Sequence, residues 1–384
     1  MKKEKLALAF ALLNFDNLLE TESMIKQKYV TEQEIDKVRL KKDDIIKKMI
    51  KYIEHQAGNK HSEKNLKDLL EVFSLMVNQS SSKRREIQDI FNSNRATEMV
   101  LQLLSSNQQY EATFFNSLMN FCNAMLSGKN KKVQKTIFKY FKIYRQTEKT
   151  FSRLSVSITE FTVRLKEGAR RSPQFTQSIL TCSEVLRFIV LCCEGHYTEM
   201  QNYFRTQSNL AVQHNFLKEI VDLMSALASN LSKDLFEPMM LAFDALIELV
   251  QGPNRPNQDF LLKGPILELL SNLLMHTGGQ QKTKMVQGKE DLLTRELSVW
   301  ETRRMKYKVI TLLQGLCELT DNPTRVFGRF SKFFPIFLML IYLEECYMDY
   351  KRVYGTQELV LHSLNKVVSD NSSTTKHRMI STSQ

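Results

Sequence analysis

Apolar residues recur at three- and four-residue spacing through most of this chain, and very little interrupts them. Phe114, Phe115, Leu118, Met119, Phe121, Cys122, Met125 and Leu126 form one such stripe. Leu66, Leu69, Leu70, Phe73, Leu75 and Met76 form a second, and Val133, Ile137, Phe138, Phe141 and Ile143 a third. That period lines one face of an α-helix, whereas a half-buried strand alternates. Only 12 Gly and 7 Pro punctuate 384 residues, too few for the turns of a sheet protein. The expected fold is all-α: stacked antiparallel helices with short connections, an α-solenoid of armadillo-like architecture. No strict repeat period marks the array.

Composition shifts divide the chain into four parts. Residues 1–82 are an N-terminal helical segment, with a capping box at Thr31-Glu32-Gln33-Glu34. Residues 83–172 are solenoid helices carrying a basic stretch, 173–368 a further helical domain, and 369–384 a Ser/Thr-rich tail expected to be disordered. Arg170-Arg171-Ser172-Pro173 is the clearest linker, with Pro173 suited to a first helical turn. Gly128 and Gly168 close helices, Asn130 caps one, and Pro253–Pro265 reads as a loop. A long helix is expected over 291–319 with Trp300 as its largest apolar anchor, then helices over 333–350 and 357–368.

The net charge of +12 is uneven, with thirteen basic residues against three acidic ones between Met125 and Phe175. Such a stretch suits a solvated helix face or an acidic partner surface; nucleic acid is not the expected partner. The six cysteines show no disulfide or zinc spacing, so reduced, buried thiols are expected. The apolar runs Leu6–Leu13 and Phe333–Leu343 fall short of the roughly 20 residues that cross a bilayer, and no transmembrane helix is expected. No nucleophile elbow or phosphate-cradling glycine loop is present, and nothing points to an enzyme.

Two carboxylates stand out. In Val185–Gln207 an apolar run ends at Cys192-Cys193-Glu194-Gly195-His196, placing Glu194 in the last turn of a helix stopped by glycine. The negative end of the helix dipole disfavours a carboxylate there by about 0.3–1 kcal/mol, so a positive group is expected beside it. Glu248 repeats the situation in Leu246-Ile247-Glu248-Leu249-Val250-Gln251-Gly252-Pro253. Gln251, three residues on, projects to nearly the same side. A hard cation between the two glutamates would relieve both, as part of a calcium shell of about 6–8 oxygens. Periodicity by itself favours two solvated glutamates with no role. A transition-metal site at Cys192, Cys193 and His196 lacks a fourth ligand at a suitable interval.

The blocks Leu191-Cys192-Cys193-Glu194-Gly195-His196 with Gln201–Gln207, and Leu246–Pro253 with Asn257-Gln258, resemble the homology-associated domain of intracellular calcium-release channels. Those are the ryanodine and inositol trisphosphate receptors. Arg95–Gln102, Leu126–Asn130 and Val133-Gln134 are similar to the helices just before that domain, so the resemblance spans roughly residues 86–320. It implies a cytosolic regulatory solenoid, on the endoplasmic or sarcoplasmic reticulum, that couples calcium sensing to gating. It also implies that Glu194 and Glu248 are part of a calcium site, with His196 and Gln251 in support. A tetrameric channel's pore and C-terminal domain would be the partners. The sequence contains no pore helices or selectivity filter, so a helical scaffold without channel function is the alternative.

Overall fold

The computed structural model describes residues 46–56, 62–79, 83–168, 172–275, 297–318 and 323–334, with 344, 347 and 348. Among the described residues all regular structure is helical, with no strand. The expectations for the Thr31 capping box, 357–368 and the 369–384 tail lie outside the described residues, as does nearly all of 333–350. The chain forms two compact units, Met1–Pro323 and Thr324–Gln384, of which the second contributes most of one described helix, Pro323–Phe333.

The first unit is built in steps of three helices. Each begins with a first helix: α1 (Glu63–Gln79), α4 (Ala112–Leu126), α7 (Pro173–Cys193), α10 (Lys233–Val250) and α13 (Val299–Cys317). A short second helix follows: α2 (Arg84–Ser93), α5 (Lys131–Ile143), α8 (Thr198–Arg205) and α11 (Arg255–Lys263). The third helices are α3 (Ala96–Leu104), α6 (Thr147–Lys166), α9 (Phe216–Ala228) and α12 (Ile266–Met275). First helices pack side by side along the chain, α1 on α4, α4 on α7, α7 on α10 and α10 on α13, and third helices form a parallel row through α3, α6, α9 and α12. Each step buries its apolar stripe against the next, which is how a solenoid shares one core among units that have none alone.

Local chemistry sets the helix starts. Asn130 Oδ1 accepts from the Lys132 and Val133 amides at 3.1 and 3.4 Å. Ser172 Oγ accepts from the Phe175 amide at 3.1 Å ahead of Pro173. Ser298 and Glu301 form a reciprocal capping box at the head of α13. The supposed loop over Pro253–Pro265 is instead α11: Asn254 caps it and Pro256 lies in its first turn, where a missing amide hydrogen costs nothing. Three apolar residues assigned to buried stripes are exposed: Leu75, Ile143 and, most of all, Trp300, 73% exposed. The core of α13 is made instead by Met305, Val309, Leu312 and Leu316. Phe151 anchors the centre of the unit, with rings of Phe141, Tyr203, Phe204 and Phe216 within 6 Å.

One described helix, α7, is long and apolar enough to cross a membrane by length and composition alone, a segment that the two apolar runs weighed from sequence do not include. It packs against α4, α6 and α10, and Asn123 Nδ2 binds the Glu184 carboxylate in its middle at 2.7 Å. Those contacts are those of a central helix of the solenoid.

The steps also share a polar device. Gln88 Nε2 donates to the Ala124 and Ser127 carbonyls, at 2.9 and 2.8 Å. Gln134 donates to Leu191 and Glu194, both at 2.9 Å, and Gln201 to Glu248 and Gln251 at 2.7 and 2.9 Å. Gln258 donates to Gly315 and Glu318 at 2.7 and 3.2 Å. Each glutamine is buried, and each spends its two amide hydrogens on carbonyls at the end of a first helix. Three of them close a recurring run: Ser127-Gly128-Lys129-Asn130 before Gln134, Glu194-Gly195-His196-Tyr197 before Gln201, and Gln251-Gly252-Pro253-Asn254 before Gln258. The described part of the first unit is therefore a repeat array without a strict period, as expected of an irregular solenoid. Its spacing is uneven because the helices differ in length: α3 and α4 have 9 and 15 residues where α6 and α7 have 20 and 21.

Candidate functional site

Glu194 and Glu248 lie on two consecutive rungs of this ladder. The α7 helix stops at Cys193, and Glu194 is the residue after it, with φ −53° and ψ 130°. It is thus just beyond the last turn rather than in it. Gly195 and His196 follow with φ of +84° and +62°. Glu248 does lie in the last turn of α10, and Gln251 occupies the place that Glu194 has in α7. The carbonyls of both helix ends, the negative poles that make a carboxylate unwelcome, are covered by the amides of Gln134 and Gln201.

The two carboxyl groups share one electrostatic neighbourhood. Burial and the charge of Glu194 push the Glu248 carboxyl above the usual carboxylate range, while His196 and Lys129 oppose that rise. Lys129 Nζ is 3.8 Å from Glu194 Oε1, so a positive group does stand beside Glu194. Glu194 Oε2 and Glu248 Oε2 are buried atoms with no hydrogen-bond partner among the described residues. Hard carboxyl oxygens removed from water and left without donors suit a hard cation. No group of three or more His, Cys, Asp or Glu converges among the described residues, so the pair is at most part of a shell.

The two supporting residues part company. His196 is brought into the field of Glu248 and packs on the next rung. A Cβ on Gly252 (φ +98°) would lie 2.6 Å from His196 Cβ, so only glycine fits there. Gln251 gives its carbonyl to Gln201, and its side chain runs toward Gly315 on α13. Cys192 and Cys193 are fully buried, and burial pushes both thiols well above the ordinary cysteine range.

The basic stretch divides by role. Arg153 is half-buried, donating to the carbonyls of Leu103, Leu104 and Ser106 and lying over the Tyr110 ring. Lys132 pairs with Asp89 at 2.6 Å and Arg164 with Glu160 at 2.6 Å. Lys131, Lys135, Lys139 and Lys142 form an exposed stripe along α5, a helix without an acidic residue. Arg170 and Arg171 lie outside the described residues.

A grouping that sequence reading missed joins α6 to α9. Ser152 Oγ is 3.3 Å from His214 Nε2, His214 Nδ1 is 3.9 Å from Glu219 Oε1, and Ser155 Oγ donates to the same oxygen at 2.8 Å. The residue types are those of a hydrolytic triad, but the His–Glu contact exceeds a hydrogen bond. Ser152 also lies inside a helix rather than on a turn that offers oxyanion donors. Burial pushes Glu219 up to about 7. Its Oε2 is buried without a hydrogen-bond partner among the described residues, in keeping with burial as the largest cause of that rise.

Residues 176–274 match the family described as RyR and IP3R Homology associated. The matched span runs from the first turn of α7 into the last turn of α12. It is narrower than the resemblance read from sequence, and it contains Glu194, His196, Glu248 and Gln251. Over that span the chain is related to the RyR and IP3R homology-associated family.

Proposed function

We propose that this solenoid is a cytosolic regulatory layer of a ryanodine- or inositol trisphosphate-receptor-like calcium-release channel, in which Glu194 and Glu248 supply part of a calcium site. The observation that carries this reading is the pair of buried, partnerless carboxylate oxygens at two successive helix ends inside the family-matched span. When bound, the calcium ion would supply positive charge between those ends. The remaining oxygens of a shell of about 6–8 would come from water and from the pore-coupled C-terminal domain of the tetramer. The chain's part is to hold the two carboxylates on rungs fixed by Gln134 and Gln201, with His196 against Gly252 setting how one turn lies on the next. An ion that binds one spacing of α7 and α10 better than another shifts the population toward it, which is a coupling to gating. The expected location is the cytosolic face of the endoplasmic or sarcoplasmic reticulum.

Isothermal titration of the chain with calcium tests this. Binding is expected to be weak, with Kd of about 10⁻⁴ M or above for so incomplete a shell, and to be lost in Glu194→Gln and Glu248→Gln. A tight site indifferent to both substitutions, or no response to millimolar calcium in either heat or thermal stability, would sink the assignment.

A second reading concerns the α5 stripe. Four exposed lysines on a helix without an acid favour an acidic protein surface as partner. Binding of a polyglutamate peptide should weaken steeply with salt and fall further in Lys135→Glu/Lys139→Glu. No binding at low ionic strength would dismiss it.

A further inference from the structure

The calcium-site reading leaves one charged group unused. We infer that Lys129 is a tethered counter-ion that neutralises the Glu194–Glu248 pair in the cation-free protein and competes with the divalent ion for it. The inference rests on that reading, and concerns the regulation of the same site.

Lys129 belongs to the rung before Glu194. In the recurring run it holds the place that His196 holds one rung later and Pro253 two rungs later. The turn can thus be built without an ammonium, and the charge belongs to this rung alone. Its backbone is delivered firmly. Lys129 has φ +59°, directly after Gly128 at +76°, a conformation that non-glycine residues hold only where the surroundings impose it. Arg85 Nη2 donates to the Gly128 and Lys129 carbonyls at 2.9 and 3.2 Å, and Gln88 to Ser127 at 2.8 Å. Asn130 then fixes the start of α5.

The side chain, by contrast, is loosely held. It is 60% exposed, and its nitrogen stands 3.8 Å from Glu194 Oε1, beyond the 2.7–2.9 Å of a charge-assisted hydrogen bond. It meets Glu194 Oε1 and leaves Glu194 Oε2 and Glu248 Oε2 without partners. A rigid base with a displaceable tip suits a group that holds charge balance and yields to a stronger ligand. Lysine is a compact, strongly hydrated point charge on a flexible stem. Swinging into solvent costs little for an exposed pair, whereas staying beside a divalent ion costs like-charge repulsion.

The test is calcium titration of the full chain at fixed pH and ionic strength, comparing wild type with Lys129→Met, Lys129→Gln and Lys129→Arg. The neutral variants are expected to bind calcium about three- to tenfold more tightly, and the arginine variant to stay near wild type. The gain should vanish in Lys129→Met/Glu248→Gln. Urea midpoints give an independent readout: Lys129→Met lowers the calcium-free midpoint slightly and enlarges the upward shift that calcium produces. His196 holds the same left-handed turn one rung later without a lysine, and Lys129→Gln provides the check should the methionine variant fold poorly. Unchanged affinity in both neutral variants, while Glu194→Gln and Glu248→Gln still abolish binding, would overturn the inference and leave the calcium site standing. Absence of calcium binding in wild type and variants alike would remove both.

Discussion

Gln201 shows how much one side chain can carry in this fold. Its amide nitrogen closes the end of α10 through the Glu248 and Gln251 carbonyls, and its oxygen accepts from Asn254 Nδ2 at 3.0 Å. Gln201→Leu keeps the volume but leaves the Glu248 and Gln251 carbonyls without this donor and Asn254 Nδ2 with only its second acceptor, Asn202 Oδ1 at 3.1 Å. Each such group costs about 1–3 kcal/mol, so a loss of roughly 3–5 kcal/mol is expected in urea unfolding, well above a typical substitution. Glu219 behaves oppositely. Its folded pKa of about 7 lies above the ordinary 4.5, so the folded state holds the proton more tightly than the unfolded chain. Its contribution is fully favourable below about pH 4.5 and is lost as pH rises toward and through 7. His214, lowered by burial, works the other way and loses stability as pH falls through about 6.5. Between pH 6.5 and 8 the Glu219 slope is therefore uncovered. Glu219→Gln, which can still accept from Ser155, should raise the urea midpoint at pH 8 and shrink the difference between pH 6.5 and pH 8. An unchanged difference would mean that Glu219 is ionised throughout. Serine–histidine–glutamate proximity is legible only in three dimensions, because the contacts join α6 to α9.

At the scale of the element, the helices announced themselves and their faces did not always. The apolar period marks α4 and α6 nearly to their ends, and Asn130 and Ser172 cap as their types predict. Helix α11 hid behind Pro253, Pro256 and Pro265, since proline marks both loops and first turns. Trp300 misled for a different reason: size suggests an anchor, but the register of α13 is fixed by Met305, Val309, Leu312 and Leu316. Trp300→Ser is accordingly expected to change stability by no more than about 0.5 kcal/mol. Phe151→Ala, which empties a site lined by four other rings, should cost about 3–5 kcal/mol. Thermal unfolding of the two variants side by side decides between tryptophan and phenylalanine as the anchor.

At the scale of the whole first unit, stability follows neighbours rather than a single centre. A solenoid is nearly one-dimensional, so each step is held by the two beside it. Helix α7 contacts α4, α6, α8 and α10, and Cys182, Val185, Leu186, Phe188, Ile189, Cys192 and Cys193 are fully buried. Amide hydrogen exchange should be slowest in α7, with protection declining toward α1 and α13. Uniform protection across all steps would instead indicate one cooperative block. Because the family-matched span begins in this helix, the proposed cation site would rest on the most rigid part of the array and act on the relative placement of α7 and α10.

The amino-acid sequence alone determined the helical class, most helix boundaries and the two unusual carboxylates, because 3.6-residue periodicity, caps and helix stops are local physics. The motif blocks around Glu194 and Glu248 also pointed to the family. Only the tertiary structure decided that the described part of the first unit is a three-helix repeat, since buried glutamines at uneven spacing reveal themselves when their carbonyl partners come into contact. It also decided which charge stands beside Glu194. Lys129 and Glu194 are remote in sequence, and one rung of the ladder brings them to 3.8 Å.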